Sequence, residues 1–264
     1  MSAGVIAPPT AGAGTATVLG RAAGAEWVRL RTVRTTWWCL IAATVTIVGL
    51  GAIAAADEAE GTSTAANPIA ATFAGEYGVL LGQFALLALA VLAVTQEYAS
   101  GAIGPTLQWT PRRGVLLAAR FGVVAVVVTV AGVLLALVAD VLARWIDPDL
   151  TLSVGQAADS LARVAGVLLA GSVLAVGAGL LLRSTAAGLA TVFLLQLVLP
   201  LLLPSFGVQW MADLGEWLPG TGAIWALLGE PSSMSAARAT ALLAGWSGVG
   251  LVAGGLSLLR RDAG

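Results

Sequence analysis

The side chains able to do chemistry are few and of restricted type. All thirteen basic residues are arginine and histidine is absent; fourteen carboxylates, Cys39, Tyr77 and Tyr98 complete the titratable set. Without histidine there is no Ser-His or Cys-His nucleophile pair, no His-ligated zinc and no HExxH protease helix. Without lysine there is no Walker A loop, whose ammonium group must reach the β- and γ-phosphates. Any nucleotide that drives this protein is therefore held by another chain. No catalytic residue, bound metal or resident cofactor is expected, and the chain is not read as an enzyme. A net charge of -1 offers no basic field to attract nucleic acid. Cys39, the single cysteine, cannot form an intrachain disulfide and reads as a small apolar filler.

The elements that position these groups follow from composition. With 58% apolar and 10% charged residues and a mean hydropathy of +0.93, the chain lies far outside the globular range, and a bilayer is its natural solvent. Residues 1–21, rich in Ala, Gly, Thr and Pro, predict a disordered cytoplasmic tail; they lack the basic n-region and apolar run of a signal peptide. Residues 22–264 then form one transmembrane domain. Six stretches reach membrane length: 37–56, 79–95, 119–139, 164–182, 185–203 and 239–259. About twenty residues at about 1.5 Å each match a hydrocarbon core near 30 Å. Inside a bilayer the backbone must pair within its own segment, so each is a helix. The expected fold is thus an all-α membrane protein of the cell (plasma) membrane, crossing it six times, with an N-terminal interfacial helix and an outer re-entrant hairpin before the last span.

Orientation follows from arginine. Ten arginines flank one side of these spans against three, Arg144, Arg163 and Arg238, on the other, which predicts both termini and the 96–118 loop in the cytoplasm. Trp37 and Trp38 then mark the inner boundary, and Trp145, Trp210, Trp217 and Trp225 the outer one. Leu182-Arg183-Ser184 is very short for a loop between two spans.

Two segments on the arginine-rich side look specialised. In residues 22–36, Trp27, Leu30, Val33 and Trp37 recur at intervals of three and four, while Glu26, Arg29, Arg31 and Arg34 lie among them. This fits a helix lying along the membrane, although a basic topogenic flank would also explain the arginines. After the second span comes Glu97-Tyr98-Ala99-Ser100-Gly101-Ala102-Ile103, and Pro111-Arg112-Arg113-Gly114 precedes the third. Glu97 sits at a helix C-terminus, where the dipole is negative, so its carboxylate needs a cationic partner. The Ser-Gly pair ends one helix and the Pro-Arg-Arg run begins another, which describes a short cytoplasmic elbow.

Together, "EWVRLRTVRTTWW", "EYASGAI" just past span two and "TPRRG" resemble the permease subunits of ABC-2 type exporters, especially the actinobacterial kind, with a similar six-span, N-in and C-in layout over essentially the whole chain. The resemblance implies that Glu26, Trp27, Arg29, Arg31 and Arg34 belong to a connecting helix. It implies that Glu97, Tyr98, Ser100, Gly101, Arg112 and Arg113 belong to a coupling element that docks on a separate ATP-binding cassette subunit, where ATP and Mg are held. A second permease copy or a related permease and membrane lipid are the other expected partners. Gly104-Pro105 departs from the basic and small residues that the family places after this motif.

The remaining features bear on what is moved. Segment 204–238, with its Trp, Gly and Pro residues, is too apolar for a solvated loop and too broken for a span, and Pro200 and Pro204 allow the fifth span to bend. Gln83 and Gln196 are the costly polar residues inside spans; they serve either a transport pathway or hydrogen bonds between helices. Asp140 and Arg144 are expected to pair at i,i+4, and Ala237, Ala241, Gly245, Gly250 and Gly254 to allow close helix approach in the last span. No ionisable group lies near the middle of any predicted span, as an ion-coupled carrier would require. The expectation is an ATP-driven exporter, acting in multidrug or antibiotic efflux or moving another hydrophobic or amphipathic cargo such as a lipid or peptide. The alternative is an ATP-independent binding or immunity protein that sequesters a hydrophobic peptide.

Overall fold

The computed structural model describes residues 14–61, 69–99, 113–229, 231 and 233–260. Its helices are α1 (Thr15–Thr32), α2 (Arg34–Gly61), α3 (Thr72–Ala99), α4 (Arg113–Ile146), α5 (Val154–Leu182), α6 (Thr185–Phe193), a π-helical segment (Leu194–Val198), α7 (Leu199–Ser205), α8 (Gln209–Gly215), α9 (Pro219–Leu228) and α10 (Ala236–Arg260). Among the described residues six helices are long and apolar enough to cross a membrane, the fifth being α6, the π segment and α7 taken together. Each contains one of the six stretches expected from sequence. Most run further, because a helix continues past the apolar slab until something stops it. At 34 residues α4 reaches about 51 Å, well beyond a core of about 30 Å.

The stops are local. Val33, in extended conformation, is the single residue between α1 and α2, and the Trp37 indole N–H fastens this corner by donating to the Arg31 carbonyl at 3.0 Å. Ser153 and Gln156 form a reciprocal capping box at the start of α5. At its end Arg183 adopts φ 52°, a left-handed cap costing an L-residue about 1–2 kcal/mol. Ser184 then caps α6. The brief Leu182-Arg183-Ser184 sequence is thus a genuine turn between two separate helices. The helix expected to begin at residue 22 already begins at Thr15, packed on α4; residues 1–13 of the expected tail lie outside the described residues.

α3 and α5 are the most buried spans, with α2 and α4 beside them, α10 against α5, and α6 against both. Where water supplies no hydrophobic drive, helices associate through close contact at small residues. A Cβ on Gly78 would land on the Ile47 carbonyl of α2, and one on Gly177 would land on the Gly250 backbone of α10. Gly250 and Gly254 therefore pack as expected, but Ala237, Ala241 and Gly245 face outward, because α10 turns its other face to α5 and α9.

At the end away from α1, Ala70 and Thr151 form a parallel β-bridge, with Ala71 donating to Thr151 and Thr151 to Ile69, each at 2.8 Å. The expected Asp140–Arg144 pair is not formed. Arg144 is exposed, while Asp140 is fully buried and accepts the Gly75 N–H at 2.8 Å. The first turn of α3 leaves amide groups without helical partners, and a carboxylate among apolar helices finds its best donors there.

Segment 204–238 contains the two short helices α8 and α9. α9 is buried against α3, α5, α10 and the π segment. Pro200 has no N–H for the Gln196 carbonyl one turn earlier, and the helix responds with a wider turn in which Leu199 donates to Leu194. Gly220 of α9 fits against that Gln196 carbonyl, where a Cβ could not. Trp37, Trp38, Trp145, Trp210 and Trp217 are exposed, whereas Trp225 is half-buried.

Gly78→Leu is expected to destabilise the protein by about 1–3 kcal/mol through overpacking. Gly122→Leu, where an added Cβ meets open space, should not; unfolding midpoints in mixed detergent micelles measure both.

Candidate coupling site

Four charged side chains from three helices meet at the α1 end of the bundle. Glu26 and Arg29 come from α1, Glu97 from the last turn of α3, and Arg120 from the second turn of α4. The Arg29 Nε donates to Glu26 Oε2 at 2.9 Å and its Nη1 to Glu97 Oε1 at 2.9 Å. Arg120 donates through Nε to Glu26 Oε1 at 3.0 Å and through Nη2 to Glu97 Oε2. The charges therefore alternate around a closed ring in which every carboxylate oxygen is engaged and the sum is zero.

Burial makes the ring consequential. The Arg120 side chain is 0% exposed and that of Glu97 11%. An isolated buried charge costs several kcal/mol, and neighbours of opposite sign with well-aligned hydrogen bonds offset this cost. For Glu97, which faces the negative end of its own helix dipole, two guanidinium groups outweigh an unfavourable half-charge.

Glu97 is one of four consecutive residues that fasten the last turn of α3 to its surroundings. Thr95 accepts from Thr185 of α6 at 2.8 Å, and Gln96 donates to Thr35 of α2 at 2.8 Å. Glu97 joins α1 and α4 through the ring. The Arg183 guanidinium, from the turn between α5 and α6, lies over the Tyr98 ring at 5.3 Å, a cation–π contact that explains why arginine occupies a position suited to glycine. This single turn is tied to four helices and to the turn between α5 and α6.

Of the residues expected to form the coupling element, Glu97 and Tyr98 belong to this hub. Ser100, Gly101 and Arg112 lie outside the described residues, and Arg113 opens α4 with its side chain likewise outside them. Of the residues expected in a connecting helix, Glu26 and Arg29 lie on α1 and join the ring; Trp27 and Arg31, also on α1, and Arg34, which instead opens α2 after the break at Val33, are exposed and do not. Arg120, Thr95, Thr35 and Arg183 are hub members that the sequence reading did not single out. Arg120 carried a signal, being an arginine several residues inside a 34-residue helix.

Gln83 and Gln196 are both buried. Gln83 donates to the Leu80 carbonyl of its own helix at 3.0 Å, and Gln196 sits in the π segment beside Gly171 of α5. A second charged layer lies at the other end, where Glu76 of α3 pairs with Arg163 of α5 near Asp140. Glu76 and Glu97 on α3, Arg120 and Asp140 on α4, and Arg163 of α5 and its cap Arg183 are each twenty or twenty-one residues apart. That is about 30 Å, the thickness of a hydrocarbon core.

No protein-family model matches the chain, and no curated protein matches it.

Arg120→Met is expected to cost about 3–5 kcal/mol by leaving two buried carboxylates short of a cation. Adding Glu97→Gln, which leaves Arg29 paired with Glu26 and the ring neutral again, should restore much of the loss; unfolding midpoints of the single and double variants measure this.

Proposed function

We propose that this chain is the permease subunit of an ATP-driven exporter of the ABC-2 kind, with both termini in the cytoplasm of a cell whose plasma membrane it crosses six times. A separate ATP-binding subunit, holding ATP and Mg, docks on the segment that joins α3 to α4. Two permeases, identical or related, line the route, and the cargo is hydrophobic or amphipathic: a drug, lipid or peptide.

The observation that carries this reading is the hub at the end of α3. A force applied to the segment after Tyr98 enters a helical turn bonded to α1, α2, α4 and α6 and stacked on the α5–α6 turn. A soluble motor needs such a point of attachment, because a push delivered there reorients several spans as one body. The ring favours rigid transmission, since separating its members exposes buried charge.

The distribution of charge supports an external energy source. Residues 35–56, 77–96, 121–139, 164–182, 184–205 and 239–259, which make up most of the six spans, contain no Asp, Glu, Lys, Arg or His. Ion-coupled carriers hold their coupling ion near mid-membrane on such groups or on broken-helix carbonyls. The one broken span here, at Gln196 and Pro200, is covered by α9, which supports α8 and α9 as an outer, re-entrant gate over the route. The chemistry left to the interior is that of an apolar pathway.

Ser100→Cys in a Cys39→Ala background should react with a membrane-impermeant maleimide from the cytoplasmic side alone. In membranes containing the ATP-binding subunit, Gly101→Trp should lower transport at least tenfold while insertion and ATP hydrolysis persist. Labelling from the outer side, or undiminished transport by Gly101→Trp, would overturn the coupling role; transport or peptide capture without ATP would instead favour the sequestering protein.

A further inference from the structure

The flank formed by α5 and α10 carries a lateral opening in two parts. The larger is an apolar groove of 890 Å³ that runs from Ala162 to Val173 on α5 and from Ala236 to Ser247 on α10. Twelve residues of helix correspond to about 17 Å, about half of a hydrocarbon core. The groove ends inward where Gly177 meets Gly250 and Gly254 and the two helices close on each other. It is open outward because Trp225 and Ala226 of α9 stand between them. The smaller part is a 290 Å³ recess at the outer mouth, lined by Glu76, Arg163 and the end of α9 from Trp225 to Gly229. Arg163, Trp225 and Ala226 line both parts, so the two are continuous.

Length and charge together define an occupant. An apolar channel half a membrane deep takes one acyl chain from one leaflet, and its mouth lies at the level where that leaflet's head groups begin. The mouth is neither acidic nor basic: Arg163, 45% exposed on its side chain, gives one nitrogen to Glu76 and keeps other donors, while Glu76 supplies a carboxylate. An anionic head group would satisfy Arg163 but meet the Glu76 charge. A zwitterionic one satisfies both, its phosphate on the arginine and its ammonium on the glutamate and the Trp225 ring. From this geometry we infer that the α5–α10 groove is a binding site for a zwitterionic phospholipid of the phosphatidylethanolamine type, seated with one acyl chain between the helices and its head group between Glu76, Arg163 and Trp225. This rests on the exporter reading only in so far as the bound lipid is cargo; the binding itself needs no motor.

The test uses the full chain, delipidated and offered equimolar dioleoyl phosphatidylethanolamine and phosphatidylglycerol, with retained lipid counted by native mass spectrometry. Wild type should retain phosphatidylethanolamine at least fivefold over phosphatidylglycerol. Gly166→Phe fills the groove from a position where an added Cβ touches nothing within 4 Å, and should lower that retention about tenfold with an unchanged unfolding midpoint. Glu76→Gln, which leaves Arg163 uncompensated, should reverse the preference toward phosphatidylglycerol. Equal retention of both lipids by wild type, or wild-type retention by Gly166→Phe, would overturn the site; a change of oligomeric mass in Gly166→Phe without loss of lipid would give the groove to a second copy of the chain. Because no ATP-binding subunit is present, none of these outcomes bears on coupling.

Discussion

A guanidinium with no exposed surface, set among apolar helices, persists only if its charge is answered on the spot. Arg120 is in that position, and the answer comes from Glu26 on one side and Glu97 on the other, with Arg29 closing the ring. The arrangement constrains the bundle strongly. Once Arg120 is buried, α1 must lie against α4 and α3 must end beside both, or at least one carboxylate loses its cation in a medium that cannot solvate it. Much of the architecture at this end follows from this requirement, including an α1 held down by its own Glu26 rather than by apolar contact alone.

The bilayer imposes the second constraint, and it accounts for where charge is permitted. α3 and α4 each carry a charged residue at two levels about 30 Å apart, as do Arg163 of α5 and its cap Arg183, and the residues between the levels carry none. At one level the charges form the ring and the Arg183–Tyr98 stack. At the other they form the Glu76–Arg163 pair and the Asp140–Gly75 bond, and the Glu216–Arg238 pair at 2.8 Å joins the residue after α8 to the first turn of α10. Between the levels the helices rely on glycine and alanine to approach one another, which concentrates specificity at the ends and leaves the middle uniform. One interruption stands out, the π turn before Pro200, where a carbonyl without its helical donor meets the small residues of α9.

This distribution explains how much of the molecule was legible from its residues. Gln96 and Glu97 illustrate the limit. That Glu97 required a cation followed from the sign of the helix dipole, and the requirement is met. Which cation was not deducible, because Arg29, Arg31, Arg34, Arg112, Arg113 and Arg120 all fall on the same side of the predicted spans as Glu97. Asp140 illustrates the same limit in reverse: Arg144, one turn away on the same helix, was the local choice, and the unpaired amides of α3 proved the better partner across space.

Length and apolarity alone located the six helices, among the described residues, that are long enough to cross a membrane, since a chain in hydrocarbon must close its hydrogen bonds within each segment. The absence of histidine and lysine alone excluded whole classes of chemistry. The rotation of each helix about its own axis was decided by tertiary packing: which face of α10 met α5, where Asp140 turned, and how four charges closed into a ring. Helices that are apolar on every side carry little contrast between one face and another, so their pairing is settled by the fit of glycines against backbone and by the few charges that must find each other.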